Sequence, residues 1–205
     1  MLLKIDARNR IGEHVAMRAM FEARKRVFID LLKWDIPALD GRFEVDQFDG
    51  GDAVYLILMD PECRHLASAR LLPTTRPGIL NSLYQELCED GAPAGDRIFE
   101  ITRFCLSPDL RAADRKVCRD TLVTALAQFA LDEGIETYTG VAELPWLRQI
   151  LSFGWDCALL GRPLAVGKTT LGALRIDIRE DTIAALERAG IWPAEGPFIP
   201  ARRAA

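Results

Sequence analysis

The chain has 205 residues, 49% of them hydrophobic and 27% charged, with 15 glycines and 11 prolines. That is ordinary globular usage, and it excludes a collagen-like, disordered or low-complexity polypeptide. Twenty-six Lys and Arg against 30 Asp and Glu leave a net charge of −4, which argues against non-specific nucleic-acid or anionic-membrane binding.

Residues 13 to 33 read as a first helix, with apolar positions between charges. Residues 35 to 52 are polar and contain Pro37, Gly41, Gly50 and Gly51, so they form a long loop of a length that is usually functional. Ala53 to Met59 and Leu66 to Leu72 read as strands joined at Asp60-Pro61-Glu62. Pro73 to Asp96 is irregular, with a short helix near Leu80 to Leu87. Arg97 to Leu106 is a strand ended by Ser107-Pro108. Asp114 to Glu133 is the strongest helix, with Asp114 as its N-cap and Gly134 as its stop. Strand 137–141, helix 145–153, strand 172–178 and helix 181–189 follow. Paired strands followed by strands alternating with helices predict a three-layer α/β/α sandwich around a mixed sheet. At about 150 residues per domain, residues 1–190 are expected to form one domain and 191–205 a Pro-rich tail.

Cys63, Cys88, Cys105, Cys118 and Cys157 form no Cys-x-x-Cys pair, and two histidines cannot complete a zinc cluster. Reduced thiols in a reducing cytoplasm are expected. The start, Met1-Leu2-Leu3-Lys4-Ile5-Asp6, is too polar for a signal peptide. The longest apolar run, Val54 to Met59, is too short to span a membrane. The expectation is a soluble cytoplasmic protein with no metal, membrane or nucleic-acid partner.

Four groups of residues carry possible chemistry. The long loop concentrates Asp35, Asp40, Glu44, Asp46, Asp49 and Asp52; its negative field suits a cationic ligand or a buried arginine, or the loop is simply solvated. Arg24 and Phe28 share a helix face, and Trp34 follows; together they make a pocket for a flat or cationic ligand, or ordinary packing under an arginine stem. Glu100 and Arg103 sit three apart on a strand, which puts them on opposite faces; serving one site would require a bulge, and otherwise they are an interior pair or separate charges. Arg111, Arg115, Lys116 and Arg119 cluster at a helix start, where cations oppose the dipole by roughly 0.3–1 kcal/mol each. They suit a phosphate or acidic partner, or are solvated. Cys105 has no histidine close by in sequence to activate it and reads as core.

The runs Arg24-x-x-x-Phe28, Trp34, Glu44-x-Asp46-x-x-Asp49, Ala69-Arg70-Leu71-Leu72-Pro73-Thr74 and Glu100-Ile101-Thr102-Arg103-Phe104 fall in the order and spacing of one family. Over about residues 1 to 190 the chain resembles the acyl-homoserine-lactone synthases, the autoinducer synthases of bacterial quorum sensing. The resemblance implies a twisted mixed sheet related to the N-acetyltransferase (GNAT-like) fold, with a V-shaped split for a thioester donor. It implies that the amine of S-adenosylmethionine attacks an acyl thioester on an acyl carrier protein or coenzyme A. The methionine-derived carboxylate then displaces the sulfonium, giving an N-acyl-homoserine lactone and methylthioadenosine. No tightly bound cofactor is implied. The alternative is another GNAT-like N-acyltransferase acting on a different amine.

Carried onto this sequence, the resemblance makes Glu100, Arg103, Asp46 and Asp49 catalytic and Arg24, Phe28, Trp34, Glu44, Arg70 and Phe104 binding residues for S-adenosylmethionine. Asp46 and Asp49 hold the cationic part of the substrate or order the loop by pairing with Arg24 and Arg70. Arg24 or Arg103 binds the carboxylate through a bidentate fork, and Phe28 and Trp34 enclose the adenosine or sulfonium. Glu100 is the base for the amine, directly or through one water. Backbone N–H groups around Phe104 to Leu106 suit the oxyanion.

Acetyl-coenzyme A enzymes of the wider fold carry a glycine-rich turn before the corresponding helix; here the segment is Arg111-Ala112-Ala113-Asp114-Arg115-Lys116. That favours an acidic carrier protein landing on Arg111, Arg115, Lys116 and Arg119, with Arg148 and Lys168, although coenzyme A thioesters stay open. The acyl pocket is expected at Ala142, Trp146, Leu151, Phe153 and Trp155, with plain core packing as the alternative. Ala142 and Glu143 stand where makers of 3-oxo products often have threonine, and Thr139 lies nearby.

Overall fold

The structure is a computed structural model and describes residues 1–191. Its contacts divide the chain into two compact units: Met1–Arg70 with Arg103–Ala125, and Leu71–Thr102 with the segment from Leu126 onward.

In the first unit, β1 (Leu2–Ile5) pairs antiparallel with β2 (Val54–Met59), in register from Leu2↔Leu58 to Ile5↔Tyr55. β3 (His65–Pro73) lies beside β2, and β4 (Ile98–Leu106) beside β3. β2 is a run of aliphatic and aromatic residues, the type that fits a pleated, buried surface. α1 (His14–Arg24) buries Ala16, Met17, Met20, Ala23 and Arg24. The expected single helix over 13–33 breaks after Arg24: residues Lys25–Leu31 form a π-helix, in which Leu32 N donates to Val27 O at 2.9 Å. Such widened turns concentrate at functional sites. Trp34 N then donates to Phe28 O at 2.8 Å, folding Trp34 back over the π segment.

In the second unit, the start of β4 runs parallel to β5 (Thr137–Glu143), from Ile98↔Thr137 to Glu100↔Thr139. β5 pairs along its length with antiparallel β8 (Thr169–Asp177). β8 also receives β6 (Asp156–Leu159) and β7 (Leu164–Val166). α2 (Ile79–Leu83), α4 (Leu144–Leu151) and α5 (Thr182–Arg188) complete this unit. α3 (Ala112–Glu133) contributes to both units. The expected mixed sheet with flanking helices is present.

Three expectations need correction. α3 starts at Ala112, so Asp114 is a first-turn residue and not the N-cap. β1, β6 and β7 were not expected. α4 ends at Leu151 and not at Phe153, because the chain turns at Ser152. The Pro-rich tail lies, beyond Ile191, outside the described residues. No described helix is long and apolar enough to cross a membrane.

At the start of β3, buried His65 meets Ser68 Oγ through Nε2 at 2.8 Å, and its Nδ1 has no partner. Burial pushes this imidazole down to about 4 from an ordinary 6.5. The unfolded chain therefore takes up the proton first, so folding stability falls as pH drops from about 6.5 towards 4, by about 3 kcal/mol from this group. Melting curves between pH 7 and 4 are expected to show that loss in the wild type and a flatter profile in His65→Gln.

Candidate active site

α1 delivers Arg24 from below and the long loop delivers three carboxylates to it. Arg24 Nε donates to Glu44 Oε2 at 2.5 Å, while Nη1 and Nη2 grip both oxygens of Asp49 at 2.8 and 2.9 Å. Arg70, from β3, donates through Nη1 and Nη2 to Asp46 at 2.6 and 3.0 Å, and its Nη1 lies 2.8 Å from Asp49 Oδ1. Arg103, from β4, donates through Nη2 to Glu44 Oε1 at 3.0 Å and to Asp46 Oδ2 at 2.8 Å. Asp49 also accepts from Asp46 N and from Tyr55 Oη, both at 2.9 Å. Three guanidinium groups and three carboxylates thus cancel in charge, each satisfied by bidentate or shared contacts. Of the six acids of the loop, Glu44, Asp46 and Asp49 are therefore paired with arginines, whereas Asp35, Asp40 and Asp52 are exposed.

The electrostatics follow the contacts. Burial alone would raise the Asp49 carboxyl; the hydrogen bond and charge of Arg24, with Arg70, override it and hold the group well below the usual carboxylate range. Burial likewise disfavours the charged forms of Arg24 and Arg70, but their carboxylate partners keep both firmly protonated. Tyr55 is pushed up by burial and by the Asp49 charge.

Exposure separates two roles within this cluster. The side chains of Arg24, Arg70, Glu44 and Asp49 are 0–1% exposed, whereas those of Arg103 and Asp46 are 11% and 15% exposed. Arg24 is 0% exposed with all three of its nitrogens donating to carboxylates, so of the two arginines expected to take a substrate carboxylate only Arg103 is accessible. Phe28 and Trp34 stack with centroids 4.6 Å apart and an angle of 22°. The Arg103 guanidinium carbon lies 5.6 and 5.5 Å from the two ring centroids, in cation–π range. Phe104 is half-buried.

Arg103 reaches this position through an irregular strand. Its φ is +50°, a left-handed value costly for a residue with a side chain. Glu100 and Thr102 are buried on one face, but the next buried residue is Cys105, so the two-residue alternation slips by one at Arg103. Cys105 packs with Ala23, Val27 and Phe28, and burial pushes its thiol up to about 12, as befits a core residue.

In the second unit, Glu100 is buried, with Oε2 accepting from Ile79 N at 2.8 Å and Oε1 from Leu80 N at 2.9 Å. A Cβ at Gly78 would stand 2.4 Å from Glu100 Oε2, so a side chain there would push the carboxylate off Ile79 N. The Glu100 carboxylate thus ties down the first turn of α2, a partner invisible in the sequence because it is main chain.

Of the expected acyl-pocket residues, Ala142, Phe153 and Trp155 are buried and Trp146 half-buried. Trp146 and Phe153 meet edge-on at 5.8 Å, and Phe153 and Trp155 at 5.9 Å. Leu151 is instead 38% exposed, being the last helical residue of α4. Leu147, from the same helix, lies where a Cβ of Gly172 would be, at 2.6 Å, and Gly172 pairs with Ala142. Thr139 is buried and its Oγ1 has no partner.

The cationic start of α3 is partly neutralised. Lys116 Nζ and Arg119 both bind Asp120, each at 2.6 Å, and Arg111 lies 3.6 Å from Asp114. Three of the four cations, Arg111, Lys116 and Arg119, therefore share two carboxylates. Arg148 and Lys168 are exposed in the second unit. Among the described residues no group of three or more His, Cys, Asp or Glu could hold a metal ion.

Two residues of the cluster escaped sequence reasoning. Tyr55 read as one apolar member of a strand, and Arg10 carried no motif.

The chain is similar to known proteins over most of its length. A family model described as autoinducer synthase matches residues 9–186. An acyl-homoserine-lactone synthase of Ralstonia nicotianae is 31% identical over 186 residues, covering 88% of this chain and 91% of that protein. An isovaleryl-homoserine lactone synthase of Bradyrhizobium diazoefficiens is 30% identical over 98% of this chain and 92% of its own length. Among solved structures, the CoA-dependent acyl-homoserine lactone synthase BjaI, with SAM and isopentyl-CoA, superposes with a TM-score of 0.84 at 30% identity, over 93% of this chain and 89% of that one. An N-acetyltransferase from Lactobacillus plantarum, described as putative in its source, is similar at a TM-score of 0.57 and 17% identity, over 87% of this chain and 99% of that one; it shares the fold alone. With the family's description matching most of the chain, and the charge-paired loop built from the residues that carry the resemblance, the protein belongs to the autoinducer synthase family.

Proposed function

We propose that the protein makes an N-acyl-homoserine lactone from S-adenosylmethionine and an acyl-coenzyme A thioester. The observation that carries this reading is the compensated cluster of Arg24, Arg70, Arg103, Glu44, Asp46 and Asp49, with only Arg103 and Asp46 left accessible beside the Phe28–Trp34 stack. Arg103 presents its fork to the substrate carboxylate, and Asp46 lies beside it for the ammonium or sulfonium. This pairing suits a zwitterionic amino acid bearing an extra cation. Trp34 and Phe28 supply apolar area for the adenosine. The other four charged residues fix the loop.

The chemistry then needs a neutral amine. Glu100, whose carboxylate is fixed by Ile79 N and Leu80 N, takes the amine proton directly or through a water. The amine nitrogen bonds to the thioester carbon, and the thiolate leaves and takes up a proton. Main-chain N–H groups of β4 from Phe104 to Leu106 serve the oxyanion. The substrate carboxylate then attacks its own side-chain carbon and methylthioadenosine leaves with the sulfur electron pair, an intramolecular step favoured by proximity.

Coenzyme A fits the donor better than an acidic carrier protein. A carrier needs an extended positive field, and here two of four cationic charges at the start of α3 are cancelled locally. A compact anion such as a pyrophosphate needs only a helix start with a few cations. Purified protein incubated with S-adenosylmethionine and either acyl-coenzyme A or acyl carrier protein provides the test, read by mass spectrometry. Lactone and methylthioadenosine from the coenzyme A thioester are expected. Product from the carrier protein alone would overturn the donor assignment. Acylation of a different amine, with no methylthioadenosine, would overturn the function.

A further inference from the structure

We propose that Arg10 and Tyr55 are positioning residues that set the acidic loop for S-adenosylmethionine, an inference that rests on the substrate reading above. Arg10 lies in the turn between β1 and α1. That turn is itself fixed: Asp6 N donates to Asn9 Oδ1 at 2.9 Å, Asn9 Nδ2 to Lys4 O at 2.8 Å, and Arg10 N to Asp6 O at 3.0 Å. From it the Arg10 guanidinium extends over the Tyr55 ring, 5.3 Å from the centroid. Nη1 donates to Asp49 O at 3.3 Å, and Nη2 to Gly50 O at 2.8 Å and Ala53 O at 3.4 Å.

These three carbonyls bracket the stretch Gly50-Gly51-Asp52. A Cβ on either glycine would meet nothing within 4 Å, and two glycines give the stretch wide backbone freedom, spanned by a long main-chain bond from Ala53 N to Gly50 O at 3.4 Å. Arg10 adds a restraint on the main chain. Tyr55 supplies it on the side chain, through Oη to Asp49 Oδ1 at 2.9 Å. Asp46, the accessible acid, is tied in turn through its N–H to Asp49 Oδ2 at 2.9 Å. Displacing Asp49 therefore displaces Asp46. Arg10 Nε is buried without a partner, an unfavourable arrangement that the fold keeps while the two Nη groups hold the loop.

The test compares wild type, Arg10→Ala, Arg10→Lys and Tyr55→Phe by steady-state kinetics and by calorimetric binding of S-adenosylmethionine. Arg10→Ala and Tyr55→Phe are expected to weaken binding and raise KM for S-adenosylmethionine about tenfold, with KM for the acyl donor unchanged. Arg10→Lys recovers part of the loss. Adding Gly50→Ala and Gly51→Ala to Arg10→Ala, which cuts loop entropy, recovers part as well. An Arg10→Ala protein that binds S-adenosylmethionine as the wild type does overturns the inference. So does an equal rise in both KM values with a lower melting temperature, the mark of general destabilisation. Absence of binding in the wild type itself overturns the substrate reading, and this inference with it.

Discussion

Asp49→Ala is expected to lower the melting temperature by about 10 °C. Asp49 compensates two guanidinium groups with side chains 0% exposed, Arg24 and Arg70, and also accepts from Tyr55 Oη and Asp46 N. Removing one partner of a buried ion pair leaves uncompensated charge and typically costs about 3–5 kcal/mol. For a chain of this size each kcal/mol corresponds to about 2–4 °C. Asp49→Asn keeps the shape but turns a donor toward donors, and is expected to lose nearly as much. The contrast is Arg18 and Glu22 on α1, whose side chains are 58% and 32% exposed; Glu22→Gln should change stability by about 0.5 kcal/mol or less. Thermal unfolding followed by circular dichroism checks all three. If Asp49→Ala melts with the wild type, the cluster does not hold the loop.

Glu100→Gln is expected to reduce turnover by roughly 10²–10⁴-fold, the usual contribution of a positioned base, while S-adenosylmethionine binding persists. The same substitution also disturbs α2, because a glutamine amide can present only one oxygen to Ile79 N and Leu80 N. Two readouts separate the effects. Loss of a base lowers turnover while the melting temperature and S-adenosylmethionine binding stay near the wild type. A lower melting temperature with turnover per folded molecule retained would make Glu100 a tether of α2 and nothing more. Turnover followed as methylthioadenosine release, beside melting curves, reads both.

The sequence by itself determined the long elements and the chemical vocabulary of the site. β2, β3, β4 and α3 are legible because an apolar run or a sustained period over many residues is a property of neighbours in the chain. The motif residues from Arg24 to Arg103 are legible because their types and spacing carry the resemblance. The tertiary structure decided the rest. β1, β6 and β7 have 4, 4 and 3 residues, too few to display a period, and they are strands only because β2 and β8 offer partners. The π-helix over Lys25–Leu31 shifts hydrogen bonds by one residue without a compositional mark. The choice between a solvated acidic loop and buried arginine partners could not be made along the chain. Glu44 meets Arg24 across 20 positions and Arg103 across 59, and whether a guanidinium is buried depends on what folds over it. The start of α3 went the other way: three of the four cations that read as a phosphate or acidic-partner patch, Arg111, Lys116 and Arg119, lie against Asp114 and Asp120, which cancel part of their field. Composition counts charges, but only distance and exposure determine which of them a ligand can feel.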